Sequence, residues 1–215
     1  MLVKLQQQNK WLVFTTISLI AIYFTWLMNA ALPFEKMLFN SFYEQVSINR
    51  IKSMMYSREK WQWIGYAIVP LVLIIKWFLV AIVLDVGALL LEVKLKFKKA
   101  FQIAMLSEVV FLVLVAVKFG WFFYNRDILT LEYVQSFMPL SVTNLTNMNS
   151  IDKWFIYPLQ ILNLFEVSYW LLLAYFLSTA LKKTFGKALQ FVAITYGSGL
   201  VIWVVFIAFL TLSFS

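Results

Sequence analysis

The chain has 215 residues, of which 63% are hydrophobic and only 13% charged, about half the charged share of an average globular chain, which excludes an ordinary water-soluble fold. It contains no Cys and no His, removing disulfides, thiolate nucleophiles, Cys-ligated metals, and the usual general base and zinc ligand. The net charge of +8 does not indicate nucleic acid, because most of the lysines lie in short connectors between apolar runs instead of forming a stripe on a soluble face.

The first apolar run, Trp11 to Leu32, follows Lys4 and Lys10. It resembles a signal peptide in that respect, but its length and its Trp11, Tyr23 and Trp26 favour a retained helix that Pro33 ends. Residues 34 to 60 carry Phe39, Phe42, Tyr43 and Val46, then Ile48, Ile51 and Met55, at helical spacing among charges. The pattern predicts one or two amphipathic helices lying in the membrane interface or binding a partner helix.

A second run, Ile64 to Leu91, contains Lys76, Asp85 and Pro70, the last placed to kink it. After Lys94, Lys96, Lys98 and Lys99 comes a third run, Phe101 to Tyr124, with Glu108 and Lys118 inside it. The connector that follows has a weakly amphipathic stretch around Ile128, Leu131, Val134 and Met138, then the polar Asn144, Asn147 and Asn149, and Ser150 placed to cap the next helix. Its Asn144-Leu145-Thr146 triplet matches a glycosylation acceptor, a pattern common by chance. The fourth run, Pro158 to Leu181, holds Asn163 and Glu166, and the fifth, Ala188 to Leu212, holds Tyr196-Gly197-Ser198-Gly199, which permits close helix packing.

Each run spans roughly 30 Å of hydrocarbon at 1.5 Å per residue. The expected architecture is an all-α polytopic membrane bundle: one domain, five transmembrane helices, and amphipathic interfacial helices in the first outer connector. Nine lysines crowd into the three segments 1 to 10, 92 to 100 and 181 to 187, whereas seven Lys or Arg spread through 33 to 60 and 125 to 157. This density places the N-terminus in the cytoplasm and the C-terminus outside. The compact loops favour a bacterial inner membrane.

A charge at mid-membrane depth costs about 3 kcal/mol or more, so each one needs a partner, water or a function. Counted from the lysine-rich connector, Asp85 and Glu108 lie about 13 Å in, and Lys76, Lys118 and Glu166 about 24 to 29 Å in. The count predicts an outer layer of Glu166 with Lys76 or Lys118, joined by Asn163 and structural in role. It also predicts an inner pair, Asp85 and Glu108, as a possible ion or proton site. No Walker loop, H-E-x-x-H, G-x-S-x-G or EF-hand pattern occurs, so no catalytic residue, metal or cofactor is expected.

Three stretches carry a resemblance to a known family. They are Lys98-Lys99-Ala100-Phe101-Gln102-Ile103-Ala104, Asn163-Leu164-Phe165-Glu166-Val167-Ser168-Tyr169-Trp170-Leu171-Leu172-Leu173-Ala174, and Thr184-Phe185-Gly186-Lys187-Ala188. From about Trp77 to Phe209 the chain resembles the Ypt-interacting protein (YIP) domain family of five-pass membrane proteins, with Ser107-Glu108 where that family usually has a Pro. The resemblance implies a non-enzymatic bundle that associates with other membrane proteins, and for bacterial relatives an accessory role near transport or export machinery. The alternative is a small permease or ion-translocating subunit that uses the intramembrane acids.

Overall fold

The computed structural model describes residues 10–42, 46–126, 129–146 and 151–214. Lys4, Tyr43, Ile128, Asn147, Asn149 and the Ser150 cap lie outside the described residues. The described chain is all-α, and five of its helical segments are long and apolar enough to cross a membrane.

The elements are α1 (Lys10–Ala31), α2 (Phe34–Phe42), α3 (Ile48–Leu90), α4 (Phe97–Ser107), α5 (Val109–Tyr124), α6 (Leu131–Ser136), α7 (Lys153–Ile161), α8 (Leu164–Leu181) and α9 (Phe185–Phe214), with a short 3-10 turn at Val142–Leu145. Three features depart from the run-by-run expectation. The second amphipathic stretch after Pro33 is not a separate interfacial helix but the start of α3, which runs unbroken through Pro70 for 43 residues. At 1.5 Å per residue α3 is about 64 Å long, so it extends well beyond a 30 Å hydrocarbon layer. The third and fourth runs, expected to be continuous, are each interrupted: the third between α4 and α5 at Glu108, the fourth between α7 and α8 at Leu162 and Asn163.

Four helices close a ring of contacts, α3 on α4, α4 on α8, α8 on α9 and α9 on α3. Trp77, Leu84, Ile103, Tyr169, Leu173, Leu177 and Val192 fill it and are fully buried. Helix α5 continues the third run beyond the break, packing on α8 and on α1, which also touches α3. The interruption at Glu108 thus lets one half of a span serve the ring and the other half seat α1. A second cluster of Leu32, Met37, Phe122 and Leu129 closes the far end. There Arg58 donates to Asn29 Oδ1 at 2.7 Å and stacks over the Phe34 ring at 3.9 Å, tying α3 to the end of α1.

Two glycines set the approach of α3 to α9. A Cβ on Gly199 would meet Val83 Cγ1 at 2.7 Å, and one on Gly87 would overlap Thr195. Each helix therefore gives up a side chain where the other presents a β-branched one, which brings the backbones close enough for dispersion to hold them without a hydrophobic drive from lipid. The Tyr196-to-Gly199 stretch is packing surface, as its small residues imply.

Candidate functional site

The polar groups inside the bundle collect at the two helix interruptions. Glu108 follows the last residue of α4. Its own N–H reaches back to Met105 O, three residues away, and its carbonyl accepts from Phe111 and Leu112. This tightened turn projects the carboxylate toward α3. Lys76 Nζ donates to Glu108 Oε1 at 2.8 Å and Trp77 Nε1 donates to Oε2 at 3.0 Å. The glutamate side chain is 4% exposed and the lysine 34%. Lys76 Nζ also lies 3.5 Å from the centroid of the Phe111 ring, an added attraction for a desolvated cation. Both carboxylate oxygens are satisfied and the charge is cancelled.

Glu166 stands in the first turn of α8, just past the second interruption. Asn163 caps that helix, its Oδ1 accepting from Glu166 N–H at 2.8 Å, while its Nδ2 donates to the carbonyls of Gln160 and Ile161. Backbone freed by the break is met by the loop beside it. Val142 N–H donates to Leu162 O at 3.0 Å, Leu164 N–H to Leu140 O at 3.1 Å, and Gln160 Nε2 to Ser136 O at 2.6 Å. Leu140 holds its place with a left-handed φ of 55°, a conformation that costs a non-glycine residue about 1 kcal/mol. Irregular backbone at membrane depth is tolerable under such cover.

Trp170 Nε1 donates to Glu166 Oε1 at 3.0 Å, and Tyr196 Oη from α9 donates to the same oxygen at 2.8 Å. The positive end of α8 favours an anion at this position. Oε2 accepts nothing from the described residues, and no cation there lies within ion-pair distance of Glu166. The Tyr169 ring stands 5.5 Å from that of Tyr196 and 5.6 Å from Lys76 Nζ, so aromatic side chains separate the two acid sites. Tyr169 Oη is buried and unpartnered among the described residues.

Beside Glu166 opens a groove of about 830 Å³, walled by Leu140, Leu145, Leu164, Leu171, Leu189 and Leu200, with Asn163, Glu166 and Trp170 also lining it. Leu164 and Leu171 are exposed on the outer face of α8, so the groove opens sideways, toward lipid.

No family model, curated protein or solved structure matches this chain.

The pairing expected from depth is corrected in two respects. Lys76 pairs with Glu108, not Glu166, and Asp85 makes no hydrogen bond or ion pair with the described residues. Counting from lysines caused the error. Counted from the helix ends themselves, Lys76 is 14 residues before Leu90 and Glu108 is 11 after Phe97, a gap of only about 4.5 Å, which the lysine stem spans. Asp85, nine residues from Lys76, points to the opposite side of α3. Lys118 stays in α5, 5.5 Å from the Phe122 centroid, and does not meet Glu166. The residues that sequence reasoning missed are Trp77, Trp170, Tyr196 and the ring of Phe111. The four-residue step from Glu166 to Trp170 was a readable signal; Tyr196 comes from another helix and left none.

Proposed function

We propose that the chain is a non-enzymatic integral membrane protein of the YIP-like five-pass type, an accessory or scaffold subunit of a transport or export complex in a bacterial inner membrane, with its N-terminus cytoplasmic and its C-terminus outside. The observation that carries this reading is the internal neutralisation of Glu108 by Lys76, Trp77 and the Phe111 ring. A carboxylate held on both oxygens is a poor relay for a moving ion or proton, since its release would leave Lys76 as an uncompensated charge. Asp85 makes no bond to Glu108 that would extend a route. The packed ring of α3, α4, α8 and α9 instead presents broad apolar flanks suited to contact with other membrane subunits.

Gentle extraction from native membranes, followed by size determination and mass spectrometry, tests the proposal. A stoichiometric integral-membrane partner is the expected result, and a homogeneous monomer overturns it. Flux through reconstituted vesicles that is abolished by Asp85→Asn would instead favour the permease. Because the chain has no Cys, single cysteines placed at Gly186 and Ser213 report topology directly. Labelling by a membrane-impermeant maleimide from the outside is expected at position 213 and not at 186.

A further inference from the structure

The groove beside Glu166 combines two properties that rarely occur together. Its walls are almost wholly apolar and open toward lipid, yet they include Glu166, a residue only 8% exposed, with one carboxylate oxygen unused among the described residues. Inside the bundle the other buried acid has a lysine; Glu166 has two neutral donors and a helix end. The missing element is a cation, or at least an N–H donor, delivered from the groove side. Among the described residues no Lys or Arg lines the groove to supply it or to hold a phosphate.

The shape limits what can deliver that donor. From Leu189 to Leu200 the groove follows α9 for about 16 Å. A flexible alkyl chain fits the volume and matches the lining. Glu166 lies in the first turn of an 18-residue helix, and the Tyr196 that bonds it stands 11 residues into the 30-residue α9, so a headgroup must be drawn inward along the groove to reach it.

The geometry points to a lateral lipid site: the groove takes one phospholipid with a primary-ammonium headgroup, the ammonium on Glu166 Oε2 and an acyl chain along Leu171, Leu189 and Leu200. A choline headgroup has no N–H to donate, and a glycerol headgroup leaves the phosphate charge uncompensated near a carboxylate. Phosphatidylethanolamine is therefore preferred over phosphatidylcholine and phosphatidylglycerol with the same chains. The site stands whether or not the chain is a subunit of a larger complex.

The test is reconstitution of the full chain into nanodiscs holding equal parts of these three lipids with matched chains, then release into mild detergent and native mass spectrometry. One retained phosphatidylethanolamine per monomer is expected, favoured about tenfold over the other two, the value of one charge-assisted hydrogen bond. Glu166→Gln should erase that preference while the groove still holds lipid. Leu171→Trp, which fills the groove from its outer wall and leaves Glu166 in place, should remove retained lipid of every kind; it decides the matter if the Gln variant does not fold. Equal retention of the three lipids by the unaltered chain overturns the proposal, as does unchanged retention in Leu171→Trp, or a lipid-free dimer in which a second copy covers the groove.

Discussion

Glu108 and Glu166 both stand at interruptions of spanning helices and both are buried, yet one is neutralised by a lysine from a neighbouring helix and the other, among the described residues, is held by two neutral donors with an oxygen to spare. The difference follows from where each break lies. The α4–α5 interruption faces α3, where Lys76 is within reach and the Glu108 side chain is only 4% exposed. The α7–α8 interruption lies at the edge of the ring, covered by the 138–146 loop on one side and open to the groove on the other. A closed site must carry its own counter-charge; an open one can take a donor from its surroundings.

The sharpest way to break this contrast is to strip the closed site of its lysine. Lys76→Met leaves Glu108 buried and unpaired, and a loss of about 3 kcal/mol is expected, at the low end for a broken buried pair because the lysine is partly exposed. Reversible unfolding in mixed micelles measures it. The double variant Lys76→Met, Glu108→Met should regain most of that loss; strict additivity of the two single effects would mean that the pair is not coupled.

Amide substitutions then compare the sites directly. Glu108→Gln strands the Lys76 charge and should cost about 2 kcal/mol, whereas Glu166→Gln strands no charge and should cost less than about 1 kcal/mol. Equal losses in thermal melts of the two variants would remove the distinction. Tyr196→Phe, which takes one of two donors from Glu166 Oε1, is expected to lose about 1 kcal/mol, in the range of membrane hydrogen bonds. Hydrogen–deuterium exchange should localise the loosening to the α8–α9 contact. The smallest effect belongs to Asp85→Asn, within about 0.5 kcal/mol, since the side chain makes no bond to the described residues. A large shift in its melting temperature would mean that Asp85 has a structural partner.

Much of this was legible in the residues. The five apolar runs, the lack of His and Cys, and the packing use of Gly197 and Gly199 follow from composition and spacing, because the bilayer imposes one length and one backbone solution on any span. The acids and lysines were visible as costly groups, but their pairing was not. A step of three residues in where a helix is taken to begin moves a side chain about 4.5 Å along the axis and most of a turn around it, enough to exchange one partner for another. The unbroken α3 also escaped, since the amphipathic pattern of residues 48–60 reads the same whether the helix ends at the interface or continues into the span.

By itself the sequence determined the solvent of this protein, the number of its spans, and which side chains had to find partners, since transfer into lipid fixes those demands residue by residue. Only the tertiary structure decided how the demands were met. The two helix breaks, the ring that aligns Lys76 with Glu108, and the loop that leaves one oxygen of Glu166 facing a groove all depend on how helices distant in sequence stack, which local periodicity does not encode.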